Sequence, residues 1–83
     1  MKVAVRYFAS VREALGPGED AEVGSDADIA ALRDALVARD GRHAEALGRG
    51  RVLRSAKNRV LCAESTPLAD GDEVAFFPPL TGG

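Results

Sequence analysis

The sequence predicts an α+β domain in which a mixed sheet carries one long helix packed on one face. Its 83 residues are enough for one small hydrophobic core. Apolar residues alternate with period two near both ends of the chain, as in strands, while the middle has the apolar spacing of an amphipathic helix. We therefore expect a single domain over residues 1–83.

The first strand is predicted at residues 2–8, KVAVRYF, where apolar residues alternate strictly. The side of this strand expected to face the core carries Val3, Val5 and Tyr7. Because successive side chains of a strand point to opposite faces, Phe8 falls on the other side.

A short helix is predicted next, because Ser10 can cap its first turn and Glu13, three residues later, completes a capping box. Residues 16–18, GPG, end this helix in a turn. A second short strand is expected at residues 20–23.

The main helix is predicted to begin at Ser25, which can act as its N-cap, and to end at Gly41. Its apolar face is expected to consist of Ile29, Leu32, Ala35 and Leu36. Arg33 is placed on the solvent surface. One or two further helical turns are predicted within residues 42–50.

Three strands should complete the sheet. Residues 52–57 and 59–63 are predicted to pair around a tight turn at Asn58, and residues 73–77 form the last strand after the turn at residues 70–71. The first and last strands can then lie side by side. This element order favours the ubiquitin-like β-grasp arrangement.

Alternation in the strands predicts an apolar patch on the open face of the sheet. If Val60, Cys62, Val74 and Phe76 face the helix, then Phe8, Leu61 and Phe77 lie opposite it. Clustered exposed apolar side chains usually mark a surface that binds a partner. These three residues are therefore predicted to bind one.

The C-terminal residues 78–83 are predicted to form a flexible tail. Pro78 and Pro79 end the last strand and send the chain out stiffly, since proline fixes φ and donates no hydrogen bond. Leu80 and Thr81 lead to Gly82 and Gly83, whose lack of side chains lets the backbone enter a narrow channel. The tail is expected to deliver a terminal carboxylate to a partner's reaction centre.

Composition excludes several other classes of function. One cysteine permits no intrachain disulfide or thiolate zinc site, and the single histidine, His43, is expected on the surface, so no metal site is predicted. The net charge of −2 argues against nucleic-acid binding. We expect a cytoplasmic protein with no signal peptide or membrane helix, and no acid, base or nucleophile set that would make the chain catalytic alone.

Two segments resemble a known family, the small sulfur-carrier subunit of molybdopterin synthase, also called molybdopterin-converting factor subunit 1. They are residues 7–16, YFASVREALG, and residues 67–83, PLADGDEVAFFPPLTGG. The resemblance implies a ubiquitin-like sulfur carrier of molybdenum cofactor biosynthesis. It further implies that Phe8, Leu61, Phe77 and Arg12 bind the partners.

The resemblance also implies the chemistry. The Gly83 carboxylate would be adenylated by an ATP-dependent activating enzyme and converted to a thiocarboxylate. Gly83 would then donate sulfur to cyclic pyranopterin monophosphate in the large synthase subunit, within a heterotetramer. The chain itself would bind no cofactor.

Two alternatives remain at this point. A thiamine-pathway sulfur carrier shares the fold and the Gly-Gly end, but it is typically shorter and lacks the double proline and a segment like residues 42–50. A ubiquitin-like protein modifier also ends in Gly-Gly.

Overall fold

A computed structural model of the chain describes residues 1–79, which form one five-stranded mixed sheet and three helices. The elements are β1 (Lys2–Tyr7), α1 (Ala9–Leu15), β2 (Gly18–Glu22), α2 (Ile29–Val37), α3 (Gly41–Leu47), β3 (Arg54–Lys57), β4 (Val60–Cys62) and β5 (Glu73–Phe77). The strands lie in the order β2-β1-β5-β3-β4. The predicted α+β class and the mixed sheet are confirmed.

The centre of the sheet is the parallel pair of β1 and β5, in which Val5 lies beside Val74. The other neighbouring strands pair antiparallel. The prediction that the first and last strands lie side by side is therefore confirmed, and with it the β-grasp arrangement.

The core lies between one face of the sheet and the helices. Its fully buried side chains are Val3, Val5, Tyr7, Ile29, Leu32, Leu36, Leu47, Val74 and Phe76. Each large apolar side chain buried in this way stabilises the fold by roughly 1.5–3 kcal/mol before entropy is counted. The alternation of β1 and β5 was thus predicted correctly.

Both predicted helix starts were wrong. Helix α1 follows Phe8 directly and has no side-chain cap, so Ser10 does not cap it and the capping box is absent. Helix α2 is capped by Asp28, whose carboxylate accepts a 2.8 Å hydrogen bond from the backbone N–H of Ala31. Asp28 also bridges to Pro67 in extended conformation, which holds the chain out of the helix up to that point.

The main helix is shorter than predicted, because α2 has nine residues and α3 begins separately at Gly41. Two of its side-chain assignments were also wrong. Ala35 is exposed, and the Arg33 side chain is buried, with 4% of its surface accessible.

A two-residue turn joins β3 to β4. Asn58 and Arg59 both have positive φ, at 50° and 71°, which is the conformation of a type I′ hairpin turn. The Asn58 side-chain amide donates to Asp72 at 3.0 Å, and its oxygen accepts from the N–H of Glu73 at 2.9 Å. The hairpin is thereby fastened to the start of β5.

Candidate functional site

The outer face of the sheet, opposite the helices, carries the three predicted partner-binding residues. Leu61 pairs with Ala56, which is itself opposite Ala75, and Phe77 pairs with Arg54. All of these side chains therefore lie on the face opposite the core. Phe8 is 40% exposed and Leu61 60% exposed, while Phe77 is half-buried. We call Phe8, Leu61 and Phe77 the outer-face patch; its role in binding stays a prediction.

The β4 edge of the sheet differs from the prediction at Val60. Val60 pairs with Lys57 on the helix side of the sheet, but it is 67% exposed. The cause is its position at the end of a three-residue edge strand, beyond the side chains of the core. Cys62 is half-buried and packs against the core, as a small apolar side chain does.

Arginine side chains lie beside the apolar patch. The Arg6 guanidinium lies 5.8 Å from the centre of the Phe8 ring, within the range of a cation–π contact, and its Nη1 is 3.6 Å from a carboxylate oxygen of Glu73. Arg54 is exposed beside Phe77. Arg12 is exposed on α1, one turn after Phe8, whose carbonyl accepts from the Arg12 N–H. This surface therefore combines apolar contact with positive charge.

The tail begins where β5 leaves the sheet. The last bond of the central strand pair runs from the N–H of Phe8 to the carbonyl of Phe76, at 3.3 Å. Pro78 and Pro79 follow, both half-buried. The other predicted tail residues, Leu80, Thr81, Gly82 and Gly83, lie outside the described residues.

Pro78 also lines a groove of about 570 Å³ beside the root of the tail. Helix α1 contributes Val11 and Ala14, helix α3 contributes Ala46, and the loop before β3 contributes Leu53. Arg42, Glu45, Glu13 and Arg51 add charge to its lining. Sequence reasoning did not predict this groove, because its walls come from three segments far apart in the chain.

Arg33 fixes one wall of this groove. Its Nε donates to the carbonyl of Leu47 at 2.6 Å, and its Nη2 donates to the carbonyls of Gly48 and Arg51, each at 2.8 Å. Its Nη1 pairs with Glu64 at 2.6 Å. The guanidinium thus holds the end of α3 and the following loop in place. It donates to the carbonyl of Leu47, the last residue of the helix, and to the loop carbonyls of Gly48 and Arg51.

The described part of the chain offers neither a metal site nor a helix that could span a membrane. Residues 1–79 contain no group of three or more acidic, histidine or cysteine side chains placed to hold a metal ion. None of the helices described is long and apolar enough to span a bilayer. His43, predicted at the surface, is partly buried, with 12% of its side chain exposed, and lies between the carboxylates of Glu19 and Asp40.

Comparison with known families identifies the chain. The sequence profile of the ThiS family matches residues 5–83, nearly the whole length. The chain belongs to the ThiS family. The resemblance found in residues 7–16 and 67–83 is thereby confirmed at the level of the family.

A curated relative extends the likeness of this ThiS-family chain over its full length. It is 46% identical over 82 residues to the "Molybdopterin synthase sulfur carrier subunit" of Escherichia coli (strain K12), covering 98% of this chain and 99% of the relative.

Solved structures agree with the fold of this ThiS-family chain. One chain matches with a TM-score of 0.69 and 32% identity, over all of both chains. It comes from the "Protein-protein complex of subunit 1 and 2 of Molybdopterin-converting factor from Helicobacter pylori 26695". The "Crystal structure of SAMP1 from Haloferax volcanii" matches with a TM-score of 0.80 and 28% identity, also over all of both chains.

Proposed function

We propose that this chain is the sulfur carrier of molybdenum cofactor biosynthesis, acting as the small subunit of molybdopterin synthase. The observation that carries the proposal is the 46% identity, over 98% of this chain, to the Escherichia coli sulfur carrier subunit. The proposed place of action is the cytoplasm.

The reactive group in this proposal is the carboxylate of Gly83. Its oxygen attacks the α-phosphorus of ATP on an activating enzyme, so that pyrophosphate leaves and an acyl adenylate forms. Hydrosulfide then attacks the carbonyl carbon, AMP leaves with the electron pair of the broken C–O bond, and a thiocarboxylate and a proton result. In this proposal ATP binds to the activating enzyme, and the chain itself needs no cofactor.

The thiocarboxylate then delivers its sulfur within the large synthase subunit. The acceptor is cyclic pyranopterin monophosphate, whose conversion to a dithiolene needs two sulfur atoms and therefore two carrier turnovers. The catalytic side chains belong to the large subunit, and this chain supplies the sulfur. The proposed assembly is a heterotetramer of small and large subunits. The match to a chain from a complex of subunits 1 and 2 supports the pairing of two kinds of subunit.

Docking must offset the cost of ordering the tail. Holding four residues in a channel costs about 4–8 kcal/mol of backbone entropy, at 1–2 kcal/mol for each residue. The outer-face patch, at the base of the tail, is the proposed source of the compensating free energy, with Arg12 at its edge. Pro78 and Pro79 lower the cost, because their φ angles are restricted before binding.

The test is the chemistry of the terminal residue. Deleting Gly83, or adding one alanine after it that is not removed, should abolish thiocarboxylate formation by the activating enzyme while leaving the circular dichroism spectrum and melting temperature unchanged. Intact-mass analysis detects the replacement of oxygen by sulfur in the parent chain. Molybdopterin synthesis that persists with the extended, unprocessed chain would overturn the proposal.

A second candidate function is protein modification, because the "Crystal structure of H. volcanii small archaeal modifier protein 1" matches with a TM-score of 0.78 and 27% identity over 95% of this chain. In this alternative, the Gly83 carboxylate is joined to lysine amines of other proteins, as a ubiquitin-like modifier is. Digestion of cell protein would then yield branched peptides that carry the end of this chain on lysine. Their absence, together with a thiocarboxylate on the intact chain, favours the carrier.

A further inference from the structure

A cluster of polar side chains joins α3 to the sheet on the side away from the outer-face patch. Glu19 of β2 is its centre: one carboxylate oxygen accepts from the Tyr7 hydroxyl at 2.7 Å and lies 2.7 Å from Nε2 of His43. Its other oxygen pairs with Arg39. The second ring nitrogen of His43, Nδ1, lies 2.8 Å from a carboxylate oxygen of Asp40.

This geometry fixes the protonation state of the ring. An ionised carboxylate only accepts hydrogen bonds, and a neutral imidazole carries a single N–H. Two carboxylates at hydrogen-bond distance from the two ring nitrogens can therefore both accept from the ring only when it is doubly protonated and positively charged. The N–H groups then donate to Glu19 and to Asp40.

We propose that His43 is held as the imidazolium at neutral pH and acts as a pH-sensitive latch that fastens α3 to β2. Loss of the proton removes one of the two ring donors and the positive charge, so that one carboxylate loses its hydrogen bond from the ring. The latch is independent of sulfur transfer and is a property of the folded domain.

The pKa shifts agree with this assignment. Burial alone would lower the pKa of His43, but hydrogen bonds to Glu19 and Asp40 outweigh it and raise the pKa above its ordinary 6.5. Burial alone would raise the pKa of Glu19, but hydrogen bonds from His43 and Tyr7 outweigh it and lower the pKa. The backbone N–H and the ring of His43 lower the pKa of Asp40.

The groups around His43 come from each element packed there. Strand β1 contributes Tyr7, and burial raises the pKa of its hydroxyl, so it stays a neutral donor to Glu19. Arg39, just after α2, pairs with Glu19. On α3 itself, Arg42 donates to the carbonyl of Ala14 of α1 at 2.8 Å. The ring is therefore the member of this cluster that changes charge near neutral pH.

The latch acts on a wall of the groove beside the tail. Arg42, Glu45 and Ala46 of α3 line that groove opposite Pro78. Because the folded pKa of His43 is raised, the stabilisation is fully present below the unfolded value near 6.5 and is lost as the pH rises through the folded pKa. Alkaline pH should thus loosen the packing of α3 on β2 while the sheet stays folded.

The experiment is an NMR titration of the whole chain, in which His43 is the only histidine. Its ring nitrogen shifts should show two protonated nitrogens at pH 7 and a pKa above 6.5. In Asp40→Asn, which keeps a helix N-cap acceptor but removes one carboxylate, the ring pKa should fall. Above the folded pKa, hydrogen exchange of the α3 amides should quicken by about fivefold after correction for intrinsic rates. A factor of this size corresponds to the loss of a contact worth about 1 kcal/mol.

His43→Gln supplies the matched control, because glutamine forms hydrogen bonds without titrating. In that variant, the corrected exchange of α3 should not depend on pH between 6 and 9. A wild-type ring with one protonated nitrogen at pH 7, or with a pKa at or below 6.5, would overturn the proposal, and this measurement needs no variant to fold. The same exchange profile in the wild type and in His43→Gln would overturn it as well.

Discussion

Arg33 lies on the apolar stripe of α2, four residues after Ile29 and one after Leu32, yet it is charged. Sequence reasoning placed it on the surface, since an arginine is rarely buried unless it is paired. Its partners are backbone carbonyls at the end of α3 and just after it and one carboxylate, none of which a residue pattern reveals. The sequence did hold one sign that Arg33 is buried. Its spacing of four residues from Ile29 puts it on the core side of the helix.

Replacing Arg33 by methionine should destabilise the chain by about 3–5 kcal/mol, because carbonyls and Glu64 lose their donor in a poorly solvated place. Urea unfolding followed by circular dichroism measures this loss. Arg49→Met is the matched control, because Arg49 pairs with the same Glu64 but is half-exposed, and the loss there should stay within about 1 kcal/mol. Equal losses in the two variants would contradict the role given to Arg33.

At the scale of elements, strands were easier to predict than helix starts. The two-residue alternation of β1 and β5 is local, and the structure places their apolar faces as predicted. The start of α2 depends instead on the bridge of Asp28 to Pro67, a contact between distant residues. Capping patterns alone could not choose between Ser25 and Asp28, because both residue types cap helices.

Adjacent residues of β5 should respond in opposite ways to substitution. Phe77→Ala should weaken binding to the large subunit by about 2 kcal/mol, the scale of an interface hot spot, with little change in melting temperature. Phe76→Ala is the matched control: Phe76 is fully buried, so its loss should destabilise the fold by about 3–5 kcal/mol. Calorimetric titration and thermal melting measure the two effects. A collapsed melting temperature with unchanged affinity in Phe77→Ala would show that Phe77 serves the core.

At the scale of the whole molecule, carboxylates tie together segments that the sheet does not connect. Glu19 joins β2 to the region of α3, and Glu64 joins the loop after β4 to Arg33 and Arg49. Asp72 accepts from the Asn58 amide and from the N–H of Ala69. The fold and family were recognisable from the two ends of the sequence. The ties made by Glu19 and Glu64 were not, since they join residues that only the tertiary structure brings together.

Acid should therefore weaken the fold. Burial alone would raise the pKa of Glu19 and of Glu64, but hydrogen bonds from their partners hold both below 4.5. Hydrogen bonds from Asn58 and Ala69 hold the pKa of Asp72 below 3.8. Depressed pKa values give stability that is present above the unfolded values and is lost as the pH falls through the folded ones. Unfolding free energy measured in urea should fall steadily below about pH 4.5. In Glu64→Gln that slope should be smaller; an unchanged slope would contradict the assignment.

The parallel pairing of β1 with β5 has a consequence for the folding kinetics. Val5 and Val74 lie side by side although roughly 70 residues separate them in the chain, so a large loop must close before the central ladder can form. Until β5 arrives, β1 offers an unpaired edge that another chain can join, which is the usual route to aggregation. Helices and the β3–β4 hairpin, which need only near neighbours, should gain hydrogen-exchange protection early in refolding. The amides that bond across the β1–β5 ladder should gain it last and together.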